Sequence, residues 1–471
     1  MRFTSRTALI LLLAALTASL GGGEMRLVFT SDLHGRLRNY AALAPAIRAE
    51  AGKNGIVLDL GDTVSGVFSS EHAENGTGMA EALRLCGTEL WIPGNHDFEL
   101  PPAAFRDFVK RFGGIALGED WHNAGLSGKP FAILERGNIR CAVIGLTDPK
   151  MPYRILPGSG MTFDDPRAVL RRLMPRVRAA GAQVVVLAWH NGLYSGAGYL
   201  GNILKEFPGI DVVLGAHSHQ ENPGQRVGNA LFVQSGAHGH AAGVVEIRTD
   251  DRRGRILSIT SRLIRGDALH PMPELMALDR HLENVSAGVK HRVLGNFSPP
   301  LSAPRPGEYD SRFGRICARA LRTAAGSDAA VIWINCSESP EKLPRLTYGK
   351  LAEIIPYRNE LCVLSVTGNE LERFIAEQET LSRKRKWSRV LFVSGLRLSR
   401  PANGGASRVI GPEGPFTVAV NSFLITESKV LRPLAELPER HFRRLGGTER
   451  ELIADYISEC AGGAMKNRPE P

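Results

Sequence analysis

The stretch LVFTSDLHG, residues 27–35, decides the fold of the N-terminal half of the chain. An apolar run, Leu27 to Phe29, leads into a polar turn that carries Asp32 and His34 two positions apart. Such a run predicts a short buried strand, and alternate residues of an extended segment point to the same side. Asp32 and His34 are therefore predicted to project together from the carboxyl end of a strand.

The same pattern, an apolar run followed by a side chain that can bind a metal, returns four more times along the chain. The runs are residues 56–58, 90–92, 184–187 and 212–214, and the side chains after them are Asp62, Asn95, His190, His217 and His219. Open α/β sheets place their ligands beyond the carboxyl ends of their strands. Five strands would therefore bring all seven side chains to one place.

A set of donors of this kind matches the needs of a centre with two divalent cations. Such a centre holds its ions about 3.5–4 Å apart, and one anion must screen both charges, a role that we predict for Asp62. Mixed imidazole and carboxylate ligands suit Mn, Zn or Fe better than Ca or Mg. The sequence therefore predicts two divalent metal ions, with the ligands Asp32, His34, Asp62, Asn95, His190, His217 and His219.

His96 follows the predicted ligand Asn95 and is a candidate proton donor. A histidine beside a metal ligand can protonate a leaving oxygen or stabilise negative charge in a transition state. It needs a carboxylate that holds its tautomer, and Asp97 and Glu99 are both close in sequence. The predicted catalytic residues are therefore His96, Glu99 and Asp97.

Each of these motifs has an ordinary structural explanation when it is taken alone. A single Asp-x-His is common, Asn95 could cap a helix, and His190 could be a core histidine. The agreement of all seven residues in order favours the metal site. His238 and His240 resemble the ligand pairs; we expect them behind the ligands or at the rim, with direct ligation as the alternative.

The first residues of the chain predict export. Residues 1–22 combine Arg2 and Arg6 with an apolar stretch and small residues, as a secretory signal peptide does. No later apolar run is long enough to cross a membrane, so we expect a periplasmic or extracellular protein. The formal net charge is +10, or about +8 (10 − 2) without the signal, which favours anionic partners. The basic run 383–386 predicts an exposed loop rather than a nucleic-acid site.

The order of elements predicts two domains in an α/β protein. Residues 25–266 alternate short strands with helices and then become rich in strands, which predicts two packed sheets with helices outside, an α-β-β-α sandwich. Residues 271–300 predict a connector helix and linker, because prolines break the pattern on both sides. Residues 301–461 predict a smaller α+β domain, and residues 462–471 predict a disordered tail.

These motifs resemble those of the calcineurin-like metallophosphoesterase superfamily and, within it, of the exported 5′-nucleotidase family. The C-terminal half resembles that family at residues 347–349, 355–359, 366–371 and 394–397. The resemblance implies one metal held by Asp32, His34, Asp62 and His219, and a second held by Asp62, Asn95, His190 and His217. It also implies that His96 faces the phosphate and pairs with Glu99, where the family has an aspartate.

The second domain departs from the family where the nucleotide is held. Residues 335–339 replace a glycine pair and an arginine, Val390 replaces the first base-stacking ring, and residues 421–429 replace the loop that carries the second. Because a stacked base contributes about 1–3 kcal/mol, nucleotide binding should be weakened.

The resemblance therefore implies a metal-dependent hydrolase of a small phosphate ester that takes part in nucleotide breakdown. The alternative is the hydrolysis of another phosphate ester or of a cyclic phosphodiester. The residues that bind the substrate stay unassigned. A binding protein without turnover is the alternative from a different class. No stable nucleic-acid partner is expected.

Overall fold

The structure is a computed structural model that describes residues 22–123, 125–151, 160–193, 198–250, 255–337, 339–385, 389–399, 408–410 and 415–461. The chain divides into two compact units, one formed by the described residues up to 285 and the other by those from 286 onward. The predicted signal peptide, apart from Gly22, and the predicted tail lie outside the described residues. Within the described ranges, no helix is both long enough and apolar enough to cross a membrane.

The first unit is built on two six-stranded sheets. The order of the first sheet is β15 (Ile256–Arg265), β14 (Ala241–Thr249), β1 (Glu24–Thr30), β2 (Gly55–Asp59), β3 (Leu90–Trp91) and β4 (Ile115–Ala116). The order of the second is β12 (Glu221–Val227), β13 (Ala230–Ser235), β11 (Val212–Gly215), β10 (Val184–Trp189), β8 (Ile139–Leu146) and β7 (Phe131–Arg136). Strands β1 to β4 are parallel, as are β8, β10, β11 and β13, so their carboxyl ends lie at one edge of each sheet.

Helices and a small sheet complete this unit. The helices are α1 (Leu37–Ala51), α2 (Phe68–His72), α3 (Gly78–Cys86), α4 (Pro102–Phe112), α5 (Pro166–Ala179) and α6 (Gly198–Glu206), with short 3-10 turns at Ala73–Gly76 and Asp97–Glu99. The small sheet contains β6 (Leu126–Ser127), β5 (Trp121–Asn123) and β9 (Met161–Phe163). Helix α7 (Pro273–Lys290) contains the point at which the two units divide.

The central strand β10 shows why the sequence forms a sandwich. All six of its residues are buried, as expected for a parallel strand that is covered on both faces. Val184 and Val186 belong to the core between the two sheets, together with Leu27 of β1. Val185 and Leu187 belong to a second core that includes residues of α5 and α6. The predicted α-β-β-α sandwich is confirmed.

The second unit is a smaller α+β structure, as the sequence predicts. Its main sheet has the order β20 (Arg389–Ser394), β17 (Ala329–Asn335), β23 (Phe416–Asn421), β19 (Glu360–Val366) and β24 (Arg443–Thr448). Two further strand pairs are β16 (Val293–Leu301) with β18 (Leu343–Thr347), and β21 (Arg397–Ser399) with β22 (Arg408–Ile410). The helices are α8 (Arg312–Ala325), α9 (Tyr348–Ile354), α10 (Gly368–Arg385), α11 (Ser422–Glu427), α12 (Leu431–Ala435) and α13 (Glu449–Ala461), and a 3-10 turn covers Pro438–Arg440.

The basic run at residues 383–386 is not the loop that the sequence led us to expect. Residues 383–385 form the end of helix α10, and Lys386 lies outside the described residues. Arginine and lysine are good helix formers, and their positive charge is favoured at the carboxyl end of a helix. Helix propensity therefore outweighs the run of like charges on which the predicted loop rested.

Candidate metal centre

The loops that follow β1, β2, β3, β10 and β11 carry the seven predicted ligands, and the structure brings them together. Backbone hydrogen bonds tie the first two loops to each other, because the Asp32 N–H donates to the Gly61 carbonyl at 2.8 Å and the His34 N–H donates to the Asp62 carbonyl at 2.9 Å. The β11 loop joins them through the His217 N–H, which lies 3.0 Å from both carboxylate oxygens of Asp32. The strand-end pattern thus leads to one compact cluster.

The backbone of these loops is unusual at the predicted ligands themselves. Six residues of the cluster have positive φ, in the left-handed region that side-chain-bearing residues rarely adopt: Asp32, His34, Asp62, His217, His219 and His238. Only four other non-glycine residues of the described chain share that feature. Strained backbone of this kind is kept where the surroundings enforce it, and it concentrates at functional sites.

Asp62 lies at the centre of the cluster. Its Oδ1 accepts a hydrogen bond from the His96 N–H at 2.8 Å. Its Oδ2 lies 3.3 Å from Nε2 of His190 and 3.9 Å from Nε2 of His34. One carboxylate oxygen therefore faces two groups of imidazoles at once, which is the position required of a bridging ligand.

The first group around Asp62 contains Asp32, His34 and His219. One ligand atom of each of Asp32, His34 and Asp62 lies within 4.8 Å of the others. Nε2 of His219 lies 3.1 Å from Nε2 of His34 and 3.6 Å from Oδ1 of Asp32. His34 donates from Nδ1 to the Ser65 carbonyl at 3.0 Å, so its Nε2 carries the lone pair that a metal needs.

The second group contains His190 and His217, and Asn95 lies between Gly94 and His96 on the neighbouring loop. One ligand atom of each of Asp62, His190 and His217 lies within 4.8 Å of the others. His190 is fully buried and donates from Nδ1 to the Leu60 carbonyl, so Nε2 is the nitrogen that faces Asp62. Asn95 Oδ1 is buried without a hydrogen-bond partner among the described residues. A buried amide oxygen without a donor is costly, and a cation would satisfy it.

The ionisation of the cluster also fits a bound cation. Burial raises the pKa of Asp32 to about 7 and lowers that of His34 to about 3, so the protein's own groups supply little positive charge there. Burial alone would raise the pKa of Asp62, but His190 holds it well below its usual range. Burial works against a charged His190, yet Asp62 raises its pKa to about 10. A divalent cation would supply the counter-charge that these carboxylates otherwise draw from His190.

Of the predicted catalytic residues, Glu99 pairs with His96 and Asp97 does not. His96 Nδ1 lies 2.6 Å from Oε1 of Glu99, a hydrogen bond that fixes the tautomer. Asp97 is fully buried, and its carboxylate accepts from the backbone N–H groups of Asp62, Thr63 and Gly94. The expectation that Asp97 could orient His96 is wrong, because these three donors turn its carboxylate toward the ligand loops. Asp97 positions the loop that carries Asp62.

Two glycines are required by the close packing of these loops. A Cβ on Gly94 would lie 2.3 Å from Oδ1 of Asp62 and 2.5 Å from Cε1 of His190. Gly61 has a φ of +85°, and a Cβ there would lie 2.1 Å from the Gly94 nitrogen. The glycines that precede Asp62 and Asn95 therefore let two ligand loops touch.

Asp148 is a site residue that the sequence analysis missed. It is buried, and its Oδ2 lies 3.6 Å from Nε2 of His217. This distance exceeds that of a hydrogen bond, so the carboxylate acts on the His217 ring through its negative charge. The signal was present, because Asp148 follows the apolar strand β8 as the predicted ligands follow theirs.

Two models of known protein families match the sequence of this chain. Residues 25–221 match the family model of the calcineurin-like phosphoesterases. A second model, the C-terminal domain of 5′-nucleotidases, matches residues 293–431. Residues 25–221 therefore form a domain of the calcineurin-like phosphoesterase family. The chain combines this domain with a second domain of the 5′-nucleotidase type.

Individual relatives of the chain are distant. It is 21% identical over 458 residues to the endonuclease YhcR of Bacillus subtilis, with 85% of this chain and 37% of that protein covered. It is 31% identical over 196 residues to a probable 5′-nucleotidase of Treponema pallidum, with 40% and 32% covered. The chain thus spans about a third of the length of these relatives.

A solved structure of similar fold spans both domains. The putative 5′-nucleotidase of Staphylococcus aureus superposes with a TM-score of 0.77 at 17% sequence identity, covering 94% of this chain and 98% of that one. At this level of identity the match shows a shared fold, and the substrate must be argued from the residues.

Among the described residues of the second domain, the places where the resemblance puts nucleotide-binding groups hold side chains with other partners. Val390 is 2% exposed within β20, so it offers no surface on which a base could stack. Asn335 ends β17, and its Oδ1 accepts from Nε of Arg389 at 3.1 Å. Asn421 caps α11 by accepting from the Leu424 N–H at 2.9 Å.

Proposed function

We propose that the chain is an exported, metal-dependent hydrolase of phosphate esters with a two-metal centre. The observation that carries this proposal is the position of Asp62, whose Oδ2 faces both His34 and His190 while Oδ1 is held by the His96 N–H. When bound, two cations would polarise the phosphoryl group and lower the pKa of a water that attacks phosphorus.

In this proposal the ligands are divided between the two groups described above. Asp32, His34 and His219 hold one ion, and Asn95, His190 and His217 hold the other, with Asp62 shared. The hydrogen bond from Nδ1 of His34 to the Ser65 carbonyl keeps Nε2 of that ring in the ligand form. The bond from Nδ1 of His190 to the Leu60 carbonyl directs its Nε2 toward Asp62, and the proton on Nε2 must leave when a metal binds. Preset ring orientations and strained loops reduce the reorganisation that metal binding requires.

His96 is assigned to the phosphate or the leaving oxygen. Its Nδ1 is held by Glu99, so Nε2 is the nitrogen that we assign to the reacting group. In the protonated form its Nε2–H donates to the leaving oxygen or to the phosphoryl oxygens on which negative charge develops. Glu99 acts through His96 by fixing the tautomer and the ring orientation.

The test of this proposal is a substrate screen with metal analysis on the purified protein. After reconstitution with Mn or Zn, metal content is measured, and turnover is followed with AMP, p-nitrophenyl phosphate, a 2′,3′-cyclic nucleotide and a single-stranded oligonucleotide. We expect bound metal and a chelator-sensitive hydrolysis of monoesters. A protein that retains no metal, or that binds metal and hydrolyses none of these compounds, would contradict the proposal.

A second candidate keeps the chemistry and changes the substrate. The buried Val390, at the place of a base-stacking ring, favours a non-nucleotide phosphate ester or a cyclic phosphodiester. In the same screen this candidate is recognised by turnover of p-nitrophenyl phosphate or the cyclic nucleotide that exceeds turnover of AMP. A binding protein without turnover is disfavoured by the complete donor set. The oligonucleotide arm matters because one relative is named an endonuclease.

Export is tested separately from catalysis. Mass spectrometry of the mature protein from the extracytoplasmic fraction should show an N-terminus near residue 22. Full-length protein confined to the cytoplasm would contradict this part of the proposal and leave the metal chemistry intact.

A further inference from the structure

A third imidazole lies beside the first group of predicted ligands. One ring nitrogen of each of His34, His219 and His238 lies within 4.8 Å of the others. The ring centroid of His238 is 5.6 Å from that of His34 and 5.2 Å from that of His219. His238 comes from the loop between β13 and β14, so it reaches the cluster from a segment that supplies none of the seven predicted ligands.

The backbone of His238 is fastened to the metal-site loops. Its N–H donates to the Asp32 carbonyl at 2.7 Å, and its own carbonyl accepts from Nδ2 of Asn39 at 2.9 Å. It adopts a φ of +60°, as the predicted ligands of the neighbouring loops do. Two hydrogen bonds and a left-handed backbone therefore fix the point from which the His238 side chain reaches the cluster.

The available nitrogens decide how a third imidazole could act. The Nε2 atoms of His34 and His219 are 3.1 Å apart, which suits two imidazoles on one ion at the usual distance of about 2.0–2.1 Å. Nδ1 of His34 is committed to the Ser65 carbonyl, so His34 cannot also bind a separate ion beside His238. Any ion that His238 shares with His34 is therefore the ion of the first group.

We propose that His238 is an additional ligand of the metal held by Asp32, His34, Asp62 and His219. The proposal rests on the two-metal centre proposed above and gives its two sites different donor sets, with three imidazoles at the first. More imidazole nitrogen favours Zn, Co or Fe at that site over Mn, which accepts a larger share of oxygen ligands.

His240 supplies a matched control. It lies two positions further along the same loop, and its ring centroid is 6.2 Å from that of His238. It is exposed and belongs to none of the candidate metal-binding groups among the described residues. The pair of variants His238→Asn and His240→Asn therefore compares the same substitution at a proposed ligand and at its neighbour. Asparagine tolerates the left-handed backbone of His238 better than alanine, which reduces the risk of a folding defect.

The experiment measures metal affinity directly by competition with a chromophoric chelator, using Zn and then Co. We expect His238→Asn to lower the metal affinity of one of the two sites by about 10–100-fold or more. The loss of a residue that only supports a ligand already lowers metal affinity by about 10–100-fold. The other site and both sites of His240→Asn should match the wild type. The visible spectrum of the Co protein should change in His238→Asn alone.

Each other outcome counts against the proposal. Unchanged affinities in His238→Asn, or an increase in KM with metal binding intact, would show that His238 contacts substrate or is structural. Weakening of both sites would contradict its assignment to the first ion. A wild-type protein that binds two metals and hydrolyses no phosphate ester would overturn the proposed function while leaving this test valid, whereas wild type without metal would overturn both.

Discussion

Two buried polar clusters, one in each unit of the molecule, satisfy their groups in opposite ways. In the first unit, the Asn95 amide oxygen has no partner among the described residues, and Asp62 faces imidazoles across distances that a cation would bridge. In the second unit, the carboxylate of Glu449 accepts from the side-chain amides of Asn359 and Asn421 at 3.1 and 2.8 Å. The oxygen atoms of the first cluster are left for a cation, whereas those of Glu449 accept hydrogen bonds from within the protein.

This difference distinguishes the residues that hydrolysis needs from the residues that substrate selection needs. A hydrolytic centre is preserved by its ligands, which the first unit presents together. A base-binding site needs exposed rings and uncommitted polar groups, whereas Val390 is buried and both asparagines support Glu449. The comparison predicts that substitutions in the first unit affect turnover and that substitutions in the second affect mainly stability.

The largest effect is expected for Asp62→Asn. This change removes the charge that both metal groups share, so metal content should fall and activity should drop to background. Asp59→Asn is the matched control, because Asp59 is also buried but accepts only from Thr30, Thr63 and Gly61. Elemental analysis and an ester assay check both variants. Normal metal content in Asp62→Asn would remove the bridging role.

His96→Ala should have the next largest effect. Loss of a general acid typically costs ~10²–10⁴-fold in kcat, while metal content should stay normal. Glu99→Gln should reduce kcat by less, because its side chain acts only through Nδ1 of His96. Steady-state kinetics with metal analysis decides the matter. If His96→Ala loses metal, the residue is a ligand and the assignment to the phosphate is wrong.

Substrate choice should show a smaller effect. We expect values of kcat/KM for AMP, UMP and a simple phosphate ester that differ by less than ~100-fold, about 2.7 kcal/mol. The reason is the absence, among the described residues of the second unit, of an exposed ring at the place of Val390. A stronger preference for AMP would place a nucleotide pocket elsewhere in the second unit and end the contrast drawn above.

The smallest effect concerns the stability of the second unit. Burial raises the pKa of Glu449 to about 7, although Asn421 and Asn359 act to lower it. A carboxyl group with a raised pKa stabilises the fold below its unfolded pKa of about 4.5, and that contribution is lost as pH rises through 7. Glu449→Gln should therefore flatten the dependence of Tm on pH between about 4.5 and 7. An identical pH profile in variant and wild type would show that Glu449 ionises normally.

The sequence was sufficient for the parts of the fold that depend on local pattern. Continuous apolar runs predicted strands such as β10, since a parallel strand covered on both faces contains no polar position. The sequence analysis did not predict a site residue after β8, although Asp148 follows this apolar strand just as the predicted ligands follow their strands. The prediction of a loop at residues 383–386 was wrong for residues 383–385, because the helix propensity of arginine and lysine outweighs the run of like charges.

What the sequence by itself determined is the inventory and order of the candidate donors, because each follows a strand whose apolar character is readable locally. Only the tertiary structure decided which carboxylate holds His96, since Asp97 and Glu99 are near neighbours in sequence and three backbone N–H groups from two loops turn Asp97 away. The tertiary structure also places His238 beside His34. These two residues meet because the β13–β14 loop, which carries His238, is hydrogen-bonded to Asp32. Contacts across such sequence separations depend on loop backbone angles, and these are set by hydrogen bonds between loops that no local pattern encodes.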